Sequence, residues 1–153
     1  MAEPTAYALS RHFTNLVNRK VSFAQSTAAL ETKVPKVFGV YAVFPEQAAL
    51  VVKADLALLG SFAGALIGLP DAEVKQRIKS SVIDELLRDP VLEVFNVASA
   101  VVSSVGRAVF CSMTMNQVYL RPDAEMALNS PLHRSYFTVK VDGYQGGRFC
   151  VFE

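Results

Sequence analysis

The apolar positions of this chain change period several times, and each change marks an element. Leu9, Phe13, Leu16 and Val17 recur at helical spacing, which predicts a short amphipathic helix over residues 5–18. A strand-like segment follows from about Val21 to Ala28. Lys36 to Phe44 is rich in β-branched and aromatic residues and ends at Pro45-Glu46-Gln47. Ala48 to Val52 then resumes the apolar run, the sequence mark of a hairpin.

The middle of the chain switches to helical patterning. Asp55 precedes Leu56 to Leu69, a run of small and apolar residues suited to burial, with Gly60, Gly64 and Gly68 spaced for close packing on a sheet. Pro70 breaks the run, and Asp71 is placed to cap a second helix reaching about Leu87. Asp89-Pro90 restarts the pattern, since aspartate is a good N-cap and proline is favoured at the first helical position. This third helix is expected to run to about Val105 and stop at Gly106.

Strand patterning returns in the last third, at Ala108 to Leu120, Ser135 to Val141 and Arg148 to Phe152. A polar connection spans Pro122 to Pro131, and Asp142 to Gly147 makes the final turn. Met113 and Met115 alternate with Ser112 and Thr114, as a strand with one buried face requires. The order of strands, then helices, then strands predicts a single α/β domain of the α+β type. In it, long helices cover one face of a mostly antiparallel sheet.

Composition narrows the function. Hydrophobic residues make up 52% of the 153 and charged residues 19%, enough apolar material for a core and too little charge for disorder. The net charge is +1 with the basic residues scattered, so neither nucleic acid nor a membrane surface is an expected partner. The longest uncharged stretch, Leu56 to Pro70, is too short for a spanning helix. The first ten residues carry no signal-peptide pattern, and the expected location is the cytoplasm. Cys111 and Cys150 both fall in apolar strand-like runs and read as buried thiols, not a disulfide framework. His12 and His133 stand apart from any Cys, Asp or Glu at ligand spacing, so no metal site is expected.

The chemistry concentrates between Asp89 and Arg107. On a helical wheel Asp89, Glu93, Asn96, Ser99, Ala100, Ser103, Ser104 and Arg107 fall on one side. Val91, Val94, Phe95, Val97, Ala98, Val101, Val102 and Val105 fall on the other. Glu93 and Asn96 are three apart and therefore neighbours. Asp89 lies one turn before them, and Ala100 one turn after, leaving room beside the amide. A carboxylate here can pair with a partner's lysine, and an amide can both donate to and accept from a water molecule. An ordinary solvated helix face would show the same residue types, and Asp89 alone reads most simply as a cap.

The spacing Asp89-x3-Glu93-x2-Asn96 resembles the motif of the CheC/CheX/FliY chemotaxis phosphatases. That resemblance implies a phosphatase acting on a CheY-like receiver domain. Glu93 would contact the receiver's lysine, and Asn96 would orient the water that attacks its aspartyl phosphate. Asp89, Ala100 and Ser103 would lie in the partner-binding surface. It implies no cofactor in this chain, the magnesium belonging to the phosphorylated partner. CheC-type members carry two such sites on pseudo-symmetric helices and CheX-type members carry one. Leu56 to Leu69 has no Glu-x2-Asn, so the chain is most similar to the single-site CheX type, which implies a homodimer. Two features depart from the motif: Pro122 lies farther beyond Asn96 than the family's proline, and Ser99 and Ala100 stand where relatives often carry glycine. The same fold could instead serve as a non-catalytic module that binds a receiver or a flagellar or sensory partner.

Overall fold

The computed structural model describes residues 5–27 and 33–153. The chain begins with helix α1 (Ala6–Val17), capped at one end by the Thr5 hydroxyl and at the other by Asn18 in the left-handed conformation. Strands β1 (Val21–Gln25), β2 (Lys36–Phe44) and β3 (Ala48–Asp55) follow, with β2 and β3 paired as the expected hairpin from Val43↔Ala48 to Lys36↔Asp55. Helices α2 (Leu56–Ile67), α3 (Asp71–Arg77) and α4 (Glu85–Ala98) form the middle. Strand β4 (Arg107–Thr114), a 3₁₀ turn at Gln117–Tyr119, helix α5 (Pro122–Asn129), β5 (Arg134–Val141) and β6 (Gly147–Phe152) complete the chain.

The described strands make one six-stranded antiparallel sheet in the order β1-β5-β6-β3-β2-β4. This order is its own mirror image under exchange of β1 with β4, β2 with β5 and β3 with β6. The chain is therefore two α-β-β-β units, α1-β1-β2-β3 and α4-β4-β5-β6, joined through α2 and α3. Each unit's first strand pairs with the middle strand of the other unit, and β3 and β6 meet at the centre. No short-range sequence repeat announces this symmetry.

Strand alternation sends Val37, Tyr41, Val43, Leu50, Val52, Ala54, Phe137, Val139, Phe149 and Val151 to one face, where they meet α1, α2 and α4 in the main core. The opposite face is not bare. Phe38, Val40 and Val51 are covered by Leu120 and Ala124, so α5 occupies what the sequence showed only as a polar connection.

Several boundaries differ from the expectations. β1 ends at Gln25, and the part of its expected span at Ala28 lies outside the described residues. α3 stops at Arg77, and its cap position is Pro70; Asp71 instead accepts from the Gln145 N–H and pairs with Lys75. β4 stops at Thr114. Gly60 and Gly64 face a helix and not the sheet: a Cβ at either would come within 2.9 or 2.4 Å of Val74 on α3. Both cysteines are free, and Cys150 is buried, but Cys111 is exposed because β4 is an edge strand and Cys111 points away from its buried side. Among the described residues no helix is long and apolar enough to cross a membrane.

Candidate functional site

Helix α4 begins five residues earlier than the Asp-Pro pair suggests. Its cap is Asp84, whose carboxylate accepts from the Leu87 N–H at 2.9 Å and from the Arg77 guanidinium at 3.0 Å. The Leu87 N–H above all, with Arg77 beside it, holds the Asp84 carboxyl below the usual carboxylate range. Arg77 also reaches Glu73 at 3.1 Å, so the end of α3 is tied to the start of α4. Asp89 is thus a mid-helix residue and not a cap. Pro90 lies inside the helix, where it withholds a donor from the Leu86 carbonyl; Leu86 is on the exposed side, within reach of water.

The helix also ends earlier than expected, at Ala98. Beyond it the run of Val101, Val102 and Val105 with Ser103 and Ser104 has little helical preference. The chain tightens instead: Ser99, Ala100 and Val101 donate to the carbonyls three residues back. Ala100 is therefore exposed in a turn. Ser103 is held by its hydroxyl, which donates to the Glu153 carboxylate at 2.8 Å and accepts from the Val105 N–H. Neither shares a helical face with Asn96, so the expected surface is shorter at this end. Gly106 has a local reason other than capping, since a Cβ there would lie 2.2 Å from the Phe44 carbonyl oxygen.

Asp89, Glu93 and Asn96 are all exposed on one side of α4, opposite buried Leu87, Val91, Val94, Phe95 and Ala98. Among the described residues none of the three side chains makes a hydrogen bond or ion pair. They are available to a partner, and the helix beneath them is firmly seated. The ring of Phe95 lies directly on Gly39 of β2, in the space a side chain would otherwise fill. It also stacks on Phe110, with a centroid distance of 5.4 Å and an interplanar angle of 2°. Glycine inside a strand commonly marks such a close approach, and Gly39 was the sequence signal for this seat.

The four carbonyls at the end of a helix lack intrahelical donors, and here each finds one. The buried Tyr41 hydroxyl donates to the Phe95 carbonyl at 2.6 Å. The Ser99 N–H and hydroxyl both donate to Asn96 O. His12 Nε2–H from α1 donates to Val97 O at 3.0 Å, alongside the Ala100 N–H. Val101 and Val102 serve Ala98 O. Burial pushes the Tyr41 hydroxyl's pKa far up, so it remains a donor at every ordinary pH. Tyr41 and His12 therefore hold the site helix, a role the sequence did not reveal because each partner is distant along the chain.

Topology also identifies the true mate of α4, which is α1 and not α2. Matching buried Leu9 and Phe13 to buried Val91 and Phe95 places Arg11 where Glu93 stands and Thr14 where Asn96 stands. The Thr14 hydroxyl is committed to the Val21 N–H and carbonyl at 3.0 and 3.2 Å. The helix equivalent to α4 in the first unit thus carries no Glu-Asn pair, and Leu56 to Leu69, the segment compared from the sequence, is not that helix. Among the described residues no group of three or more His, Cys, Asp or Glu is placed to hold a metal ion.

Known structures share the overall fold. FliY from Thermotoga maritima superposes with a TM-score of 0.57 at 10% identity, over 94% of this chain and 81% of that one. Its fold is that of FliY and the FliM middle domain. The FliM middle domain from Vibrio alginolyticus gives a TM-score of 0.51 at 17% identity, over 97% and 87% of the two chains. The structure of a FliG–FliM complex from H. pylori gives 0.52 at 13%, over 98% and 87%. No family model matches the sequence, and no curated protein matches it. The FliY fold agrees with the architecture implied by the motif.

Proposed function

We propose that this protein is a single-site phosphatase of the CheX type that dephosphorylates a CheY-like receiver domain. The observation that carries the reading is Asp89, Glu93 and Asn96 aligned on the exposed face of a helix whose seat and end are fixed. In this reading Glu93 pairs with a lysine of the receiver. The Asn96 amide holds a water in line with the aspartyl phosphate. Attack forms a bond from the water oxygen to phosphorus and breaks the bond from phosphorus to the aspartyl oxygen. Free carboxylate and inorganic phosphate result, and the water's proton passes to phosphate or solvent. Such transfers depend on positioning and charge stabilisation, with little covalent work for the protein. The magnesium and the phosphorylated aspartate belong to the receiver, and the CheX-type reading carries with it a cytoplasmic homodimer.

The test is the decay of a phosphorylated CheY-like receiver from the same genome, with catalytic amounts of wild type and of Asn96→Ala. Acceleration by wild type and its loss in the variant are expected. Equal acceleration by both would remove Asn96 from the mechanism.

A second reading has its own support. The fold is shared with FliM middle domains, one of them solved in complex with FliG, and the downstream proline is displaced, opening α5 at Pro122. As a non-catalytic module the protein would bind a receiver or a flagellar partner saturably and leave the receiver's phosphate lifetime unchanged.

A further inference from the structure

The exposed arc of α4 does not end at Asp89. At about 100° per residue, Glu85, Leu86, Asp89, Glu93 and Asn96 fall within an arc of about 100°, opposite the buried side of the helix. Leu86 is 45% exposed, and Val82, just before the helix, is 51% exposed. Beside Leu86 the surface dips into a shallow open depression lined by Arg77, Asp84, Glu85 and Leu86. Its walls are fixed, because Arg77 is bonded to both Glu73 and Asp84, and Asp84 caps the helix.

A single exposed leucine is unremarkable in itself. Its place on this arc gives it meaning. Ten residues separate Leu86 from Asn96, about 15 Å along a helix. An ordinary interface covers about 800 Å² of each partner, roughly 30 Å across. A protein seated on Asn96 therefore reaches Leu86. Along the way it meets the carboxylates of Glu93, Asp89 and Glu85, so it must be basic there, with an apolar hollow at the end.

We infer that the receiver docks along the length of α4, with Leu86 and Val82 filling an apolar hollow on it and Glu85 and Asp89 facing its basic residues. Leu86 is then a specificity-determining residue outside the catalytic pair. The inference rests on the receiver reading above.

Steady-state dephosphorylation of a CheY-like receiver from the same genome separates the two. Leu86→Ser and Val82→Ser are expected to raise KM about tenfold each with kcat unchanged, as loss of binding shared by ground and transition states requires. Asn96→Ala is expected to lower kcat. Melting temperatures near that of wild type show that the two serine variants fold, as their exposure leads one to expect. Wild-type KM in both serine variants, with kcat still lost in Asn96→Ala, overturns the docking inference and leaves the phosphatase reading standing. If wild type accelerates nothing, the Kd for the beryllofluoride-charged receiver decides. A Kd weakened in Leu86→Ser supports docking along α4 without catalysis, and an unchanged Kd overturns it. With no binding by wild type to any receiver tested, the receiver reading and this inference fall together.

Discussion

Adding one methyl group at Gly39 should unseat the site helix without touching the site. A Cβ there would lie 2.4 Å from Cε1 and 2.6 Å from Cδ1 of Phe95. Carbon atoms rest comfortably at about 3.5 Å or more, so the ring must retreat by about 1 Å. Little room exists to absorb that locally. Phe110 is stacked parallel to the ring, and the carbonyl of Phe95 is held by Tyr41. The displacement passes to the backbone of α4, and Asn96 is the next residue. Overpacking of this kind costs about 1–3 kcal/mol, which lowers the melting temperature of a domain this size by roughly 3–10 °C. If Asn96 positions water, a shift near 1 Å costs on the order of 10²-fold in rate. Thermal melts give the first quantity, and receiver dephosphorylation well below the melting range gives the second. A companion variant, Gly39→Ala with Phe95→Leu, should recover part of the stability, because the two positions share one space. An unchanged melting temperature in Gly39→Ala would refute the proposed seat. Lost stability with an unchanged rate would show that the seat holds the fold but does not position the amide.

Two further outcomes follow from the ends of α4. Tyr41→Phe strands the buried Phe95 carbonyl and should cost about 1–3 kcal/mol in denaturant unfolding. Because burial raises the Tyr41 pKa above its unfolded value of 10.0, its contribution is full below pH 10 and is lost as pH rises beyond. Wild-type stability should therefore fall above pH 10 by up to about 1.4 kcal/mol per pH unit from this group, and Tyr41→Phe should fall less steeply. Asp84→Ala removes the N-cap and should cost about 1 kcal/mol. The Asp84 carboxyl is lowered in the folded state, so its contribution is present above the ordinary carboxylate pKa and disappears as pH drops through the folded value. An acid titration of stability in wild type and variant checks that sign, and identical acid limbs would count against it.

The sequence alone determined the parts whose physics is local. Periodicity placed α1, α2 and the β2–β3 hairpin within a few residues, because each buries a face visible in its own spacing. It also placed Asp89, Glu93 and Asn96 on one exposed side, since an arc of a helix depends only on residue separation. The limits of that helix were not legible in the same way. Asp89-Pro90 is as good a start by local rules as Asp84, and the tie from Arg77 to Asp84 joins residues that meet only after α3 and α4 pack. The early stop at Ala98 was legible in part, since the Val and Ser run beyond it has little helical preference, but the Tyr41 and His12 donors to its last turn come from β2 and α1. Tertiary structure alone likewise decided the two-unit symmetry, which lives in strand pairing, and the identity of α1 as the counterpart of α4. The polar tract from Pro122 hid α5 because only Ala124 of that helix is buried, against sheet residues supplied by β2 and β3. A face can be read from spacing, but what covers that face, and where a helix must end to fit beneath its neighbours, is set by residues far away in the chain.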